Sequence, residues 1–154
     1  KQTTFDLIIQ SFENKGLIKT EGEYVSLGYF QIQYDEEYNK IEQAVIKLLK
    51  EAGFELIKSE EIIDKINSNK IEEILSLMVD NKKLVKIGET GITTEEIYNE
   101  AKEKLIEFIK KNAKITAAEY RDLLNTNRKN AIGLLEHFDS VKVTKRVGND
   151  RMLF

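Results

Sequence analysis

The side chains with the clearest chemistry in this 154-residue chain are its four arginines, Arg121, Arg128, Arg146 and Arg151, and all four lie beyond residue 120. A guanidinium is a planar fork of donors that matches phosphate oxygens and guanine edges, where a lysine offers a point charge. The arginines belong to a wider asymmetry. Residues 110–154 add Lys110, Lys111, Lys114, Lys129, Lys142 and Lys145, ten basic groups against the five acids Glu119, Asp122, Glu136, Asp139 and Asp150, a net of +5. Residues 1–109 hold the other 14 basic and 22 acidic groups, a net of -8, so the overall -3 hides a basic end on an acidic body. That distribution points to a polyanion partner for the C-terminal end alone.

Other chemistries are closed by composition. The chain has no Cys, which removes disulfides, thiolate metal sites and a Cys nucleophile and fits a reducing compartment. His137 is its one histidine, too few for a triad or a His-rich zinc site. Late in a helical stretch beside Phe138, it reads as a surface or partly packed side chain. No G-x-x-x-x-G-K-(S/T) run offers a P-loop. No apolar run reaches the roughly 18 residues of a membrane span, and no secretory signal opens the chain. The expectation is a cytoplasmic, mainly helical protein that is not an enzyme, with no metal and no cofactor.

The elements that must position the basic residues follow from apolar spacing. Residues 4–14 form a short helix with Phe5, Ile8, Ile9 and Phe12 on one face, ended by Gly16, and a small hairpin follows, turned at Glu21-Gly22-Glu23. Nothing before it completes a core, so 1–34 read as the tail of a module. A second module runs over 35–93. Asp35 caps a helix with Ile41, Val45, Leu48, Leu49 and Ala52 in a stripe; Ser59 caps a short helix; Asn69 caps a third carrying Ile71, Ile74, Leu75 and Met78; Leu84 to Ile87 open a hairpin. The order repeats over 94–154. Thr93 with Glu96 and Thr116 with Glu119 form capping boxes for the first two helices, and Thr126 caps the third, with Ala131, Leu134, Leu135 and Phe138 inward. Val141 and Val143 begin a strand that turns at Gly148-Asn149-Asp150. Three small helices and a hairpin, twice over, make the winged-helix variant of helix-turn-helix. The fold class is therefore mainly α with small β-hairpins (α+β), as tandem winged-helix modules. With no loop between the copies, they are expected to dock rigidly.

In such a module the start of the third helix and the hairpin, or wing, meet the ligand. In the second copy that start is Thr126-Asn127-Arg128-Lys129-Asn130, whose two cations oppose the helix dipole unless an anion sits there. The first copy has Asn69-Lys70-Ile71-Glu72-Glu73, acidic and suited to the dipole. On the wing, Lys142, Thr144 and Arg146 are expected on one strand face, with Gly148 at the turn and Arg151 after it. A solvated basic turn, and edge lysines that discourage strand pairing, are the plainer alternatives.

The run ITAAEYRDLLNTNRKNAIGLLEHFDSVKVTKRVGNDRMLF, residues 115–154, resembles the C-terminal end of the bacterial selenocysteine-specific translation elongation factor, SelB. The family pattern is I-T-x-A-E-(F/Y)-R-D-x-(L/I)-x-T-(S/G)-R-K-x-A, then L-E-x-(F/Y)-D, then T-x-R-x-G-(D/N)-x-R. Asn127 departs from it where Ser or Gly is usual. The resemblance is looser over 36–114, resting on architecture and the Leu84-Val85-Lys86-Ile87 strand. It implies a GTPase body, absent here, followed by four winged-helix modules, so GTP is expected only in the missing N-terminal part. It implies that the last module binds an mRNA stem-loop, the SECIS hairpin that marks an in-frame UGA. Partners through the full-length factor would be the ribosome and selenocysteinyl-tRNA, with no membrane and a monomeric chain. The residues it implies for RNA are Arg121, Thr126, Asn127, Arg128, Lys129, Lys142, Arg146, Gly148, Asn149, Asp150 and Arg151. Arg128 and Lys129 would grip phosphates, Arg146, Arg151 and the 148–150 turn would approach loop bases, and Asn149 or Asp150 could accept from a guanine edge. Arg121 would reach the backbone or pair with Asp122 or Glu119. The acidic module would be a rigid spacer. A DNA-binding regulator and a protein-interaction module are the rival readings.

Overall fold

The apolar stripes become helices where their spacing places them. A computed structural model describes residues 3–15, 18–21, 24–27, 36–89 and 91–154, in two units, 1–40 and 41–154. In the first, α1 (Thr4–Asn14) starts at a capping box of Thr3 with Asp6. Those hydrogen bonds from Thr3 hold the Asp6 carboxyl below its ordinary range. Strands β1 (Ile18–Glu21) and β2 (Tyr24–Leu27) pair antiparallel, and Glu13 of α1 accepts hydrogen bonds from the Thr20 amide and hydroxyl. Phe5, Leu7, Ile8 and Phe12 are exposed. The expected helix stop at Gly16, the turn at Gly22-Glu23 and the cap at Asp35 lie outside the described residues.

Both repeats follow from Glu36, and all but the first five residues of α2 lie in the second unit. α2 (Glu36–Ala52), α3 (Ser59–Ile66), α4 (Ile71–Asp80) and the hairpin β4 (Leu84–Ile87)–β5 (Gly91–Thr94) form one; α5 (Glu95–Asn112), α6 (Ala117–Leu124), α7 (Arg128–Ser140) and β7 (Thr144–Val147)–β8 (Asp150–Leu153) form the other. Buried positions correspond at one spacing: Ile41, Val45 and Leu49 of α2 match Ala101, Leu105 and Ile109 of α5. One strand in each repeat had no signal in the sequence. β3 (Ile57–Lys58) and β6 (Ile115–Thr116) each add an edge to the hairpin, giving three-stranded sheets in the order β3-β5-β4 and β6-β8-β7. Runs of two residues are too short for an alternation signal.

Several caps shift by one residue. Thr94, not Thr93, caps α5 by accepting from the Ile97 amide, and α3 and α4 begin after Lys58 and Lys70 with no side-chain cap. Thr116 and Glu119 form the expected capping box on α6. Tyr120, fully buried, donates its hydroxyl to the Ala101 carbonyl at 2.9 Å and so ties α6 to α5; burial pushes its phenol well up.

The repeats share a core. Ile87 is buried in the cluster built from α5, α6 and α7, with Phe54, Leu56 and Val85 packed against it. Leu56 is the joint. Its side chain lies 3.3 Å from where a Cβ would stand on Gly91 and 3.3 Å from where one would stand on Gly133 of α7. The Leu56 amide reaches the Asn130 side-chain oxygen at 3.4 Å.

This joint yields a differential prediction. A methyl on Gly91 would also meet the Ile87 carbonyl at 2.8 Å, and backbone cannot yield. Gly91→Ala should destabilise by about 1–3 kcal/mol, the cost of overpacking. Gly133→Ala meets only the flexible end of Leu56 and gains ~1 kcal/mol of helix propensity, so it should be near neutral. Urea titrations of the two variants check this; equal losses would show that the Leu56 side chain cannot yield at Gly133.

Candidate nucleic-acid interface

Each of the seven described helices except α7 carries an acidic residue in its first turn. α7 opens instead with Arg128 and Lys129, both exposed, at the end where a helix dipole favours anions. The cap that starts it is Asn127, whose side-chain oxygen accepts from the Asn130 amide at 2.8 Å. This corrects the expectation of Thr126. Its hydroxyl accepts from the Asn130 side-chain amide at 3.3 Å and braces the turn from outside the helix. Asn shares the capping chemistry of Ser, so the departure at 127 keeps the helix start intact.

The wing supplies the opposite wall. Arg146 and Arg151 stand directly across from one another in the β7–β8 register, and side chains at paired positions share a face. Like charges so placed repel, which costs stability unless an anion lies between them. Arg146 Nε donates to the Gly148 carbonyl at 3.0 Å. Gly148 takes φ 64° at the wing tip, a backbone that suits glycine. Arg151 is 5% exposed, and its Nε donates to Asp139 Oδ2 at 3.1 Å. The Thr144 hydroxyl donates to Asp139 Oδ1 at 2.7 Å.

The strand was expected to begin at Val141, with Lys142 sharing a face with Thr144 and Arg146. It begins at Thr144. Val141 caps α7, Lys142 takes φ 59° in the turn between them, and its Nζ lies 5.6 Å from the centre of the Phe154 ring. Thr144 and Arg146 do share a face, with Thr144 at its buried end.

Between α6, α7 and the wing lies a cavity of about 480 Å³, and all four arginines of the chain line it. Arg121 comes from α6, Arg128 from the first turn of α7, and Arg146 and Arg151 from the wing, with Asn149 beside them. Ile132 and the small residues Thr116, Ala117 and Ala118 also line it, and Glu136 is the one carboxylate among the described residues that do. Arg121 pairs locally with Asp122 at 2.7 Å, an exposed pair that is weak and readily exchanged. Asp150 faces Lys114, 2.6 Å away, and that hydrogen bond raises the lysine pKa. Lys129 borders a different opening, of about 450 Å³, between the repeats. Of the expected site residues, Thr126, Asn127, Lys129, Lys142, Gly148 and Asp150 do not line the arginine cavity. Thr116, Ala117, Ala118, Ile132 and Glu136 were not among the expected site residues; the only signal for them was that two alanines follow the Thr116 cap, leaving room at the start of α6. His137 is half-buried, 3.3 Å from the Tyr98 hydroxyl, and burial lowers its pKa.

Residues 107–153, within the C-terminal repeat, match the family model described as "Elongation factor SelB, winged helix". A selenocysteine-specific elongation factor from Desulfomicrobium baculatum is 25% identical over 88 residues, 57% of this chain and 14% of that protein. Among solved structures, the mRNA-binding domain of elongation factor SelB from E. coli, determined in complex with SECIS RNA, matches 77% of this chain and 98% of its own length with a TM-score of 0.65 and 24% identity. A bacterial selenocysteine-specific elongation factor matches 99% of this chain over 24% of its own length, with a TM-score of 0.64 and 24% identity. The chain spans a small part of the full-length relatives it matches.

The cap geometry predicts a stability difference. Asn127→Ala should cost about 1 kcal/mol, the usual worth of an N-cap, and Asn127→Ser should restore most of it. Thermal melts of the three proteins decide the matter; an unchanged transition for Asn127→Ala would mean that the α7 cap lies elsewhere.

Proposed function

We propose that this chain binds an RNA hairpin in mRNA through the arginine-lined cavity of its second winged helix. It serves as the SECIS-binding part of a selenocysteine-specific elongation factor, and so tethers selenocysteinyl-tRNA delivery to an in-frame UGA on the ribosome. The observation that carries the reading is the convergence of every arginine in the chain on one cavity, with one carboxylate among them. The SelB-type match over 107–153 covers that same cavity, and the E. coli relative was solved with SECIS RNA.

The physics favours RNA with exposed loop residues. The major groove of an RNA duplex is too deep and narrow for a helix, so recognition uses backbone phosphates and unstacked loop bases. A concave site walled by a helix start and a wing suits a bent backbone better than a flat groove floor. Arg128 and the α7 amides face phosphates, Arg146, Arg151 and Asn149 lie where a loop would enter, and Arg121 can leave Asp122 for a phosphate. Lys129 and Lys142 add charge from outside the cavity. The first repeat, with Glu72 and Glu73 in the first turn of α4, acts as the rigid spacer. A tandem DNA reader would need a basic start in both repeats.

Gel shifts of the whole chain with a short RNA hairpin, duplex DNA of matched sequence and single-stranded RNA test the assignment; preference for either of the last two would replace it. With about three to five phosphate contacts, log K should fall against log[salt] with a slope of about -2 to -4. A flat response would point to a protein partner.

Arg128→Ala should weaken hairpin binding at least about tenfold, ~1.5 kcal/mol for a hydrogen bond to a charged group. The melting temperature should hold or rise, because the change relieves a clash with the helix dipole. Lys82→Ala and Lys86→Ala, at the corresponding hairpin of the first repeat, should leave affinity unchanged. Equal losses at both places would mean diffuse attraction without a located site, and a lower melting temperature for Arg128→Ala would make that residue structural.

A further inference from the structure

The two repeats allow an internal comparison that separates what the fold requires from what the ligand requires. Lys82 and Lys142 both take φ 59°, and Gly88 and Gly148 both take φ 64°, so the two hairpins align at a single offset. At that offset Val79, Leu84 and Gly91 occupy the positions of Asp139, Thr144 and Arg151. In the first repeat the place is apolar. Leu84 is buried, and Leu56 fills the space over Gly91. In the second repeat the same place holds a carboxylate, a hydroxyl and a guanidinium, bonded to one another.

A buried ion pair is a weak way to stabilise a fold, since apolar side chains of similar volume serve as well or better. The first repeat closes without one. The polar set is therefore not needed to fasten the hairpin to the helix, and its geometry shows another use. Both Asp139 oxygens are engaged, Oδ1 by Thr144 and Oδ2 by Arg151 Nε, which fixes the carboxylate against rotation. Holding Arg151 by Nε leaves its Nη groups without a hydrogen bond to any described residue, on a side chain that lines the arginine cavity.

We propose that Asp139 is a positioning residue for RNA binding: seated by Thr144, it grips Arg151 through Nε and presents the Nη edge of that guanidinium to an anionic group of the RNA in the cavity beside Arg121, Arg128 and Arg146. The proposal rests on the RNA-hairpin reading above. A guanidinium oriented before binding loses less freedom on contact, so affinity gained this way comes from order already present in the free protein.

The test is a double-mutant cycle on the whole chain, read by hairpin affinity, with melting curves to confirm that each variant is folded at the binding temperature. Asp139→Ala and Arg151→Ala should each weaken binding about tenfold, and the pair together no more than Arg151→Ala alone, because Asp139 acts only through Arg151. Asp139→Asn, which keeps the shape and one acceptor, should bind with intermediate affinity; if Asp139→Ala does not fold, Asp139→Asn takes its place in the cycle. Losses that add would make Asp139 a structural residue and overturn the proposal. Asp139 variants that bind as the unaltered chain does, while Arg128→Ala is weakened, would overturn it and leave the RNA reading standing. An unaltered chain with no preference for the hairpin would remove the RNA reading first and this proposal with it.

Discussion

Four guanidinium groups around one cavity repel each other, and the C-terminal winged helix is organised by how each is restrained. Arg121 leans on Asp122, Arg146 on the Gly148 carbonyl and Arg151 on Asp139, while Arg128 is carried by the first turn of α7. These restraints offset the local charge only in part. Asp122 is exposed and easily exchanged, Gly148 offers a neutral oxygen, and Asp139 engages only the Nε side of its arginine. The result is a concave surface kept positive at some cost to the free protein, the condition under which an anion binds with most gain.

The two repeats show how little of this the fold itself demands. Both place three helices against a three-stranded sheet, and both bury the same periodic positions. Their surfaces diverge at the points that matter for a ligand. α4 carries Glu72 and Glu73 in its first turn, whereas the longer α7 carries Arg128 and Lys129 in its own. Gly91 stands where Arg151 stands, so one repeat gives the position to a neighbouring leucine and the other to a cation. One frame has thus been turned toward internal packing and the other toward charge.

The packing side has its own consequence. Leu56 enters between Gly91 and Gly133, and Ile87 completes the core under α7. The helix that opens with Arg128 is therefore braced near Asn130 and Gly133 by Leu56 of the preceding repeat. In the proposed reading, a load applied to the RNA-binding end passes to the rest of the chain through this joint.

Much of the molecule was legible in its residues. Apolar spacing located the helices, because a stripe repeating every three to four residues has few other ways to be buried, and the lopsided charge singled out the second repeat. The residue run over 115–154 carried the family resemblance, since it specifies a surface as well as a fold. Local signals did worse at the edges: caps moved by one residue at Thr93 and Thr126, Lys142 left the strand for a turn, and the two-residue strands β3 and β6 were invisible. What no local signal held was which charges meet. Arg121, Arg128, Arg146 and Arg151 lie on three elements, and only packing α6, α7 and the wing together makes them one site. Asp139 read as one acid among many until folding set it against Thr144 and Arg151. Sequence decides which side chains are available and which faces are buried, because both follow from residue type and period; the partner each charge faces depends on contacts between elements far apart in the chain, and these exist only once it has folded.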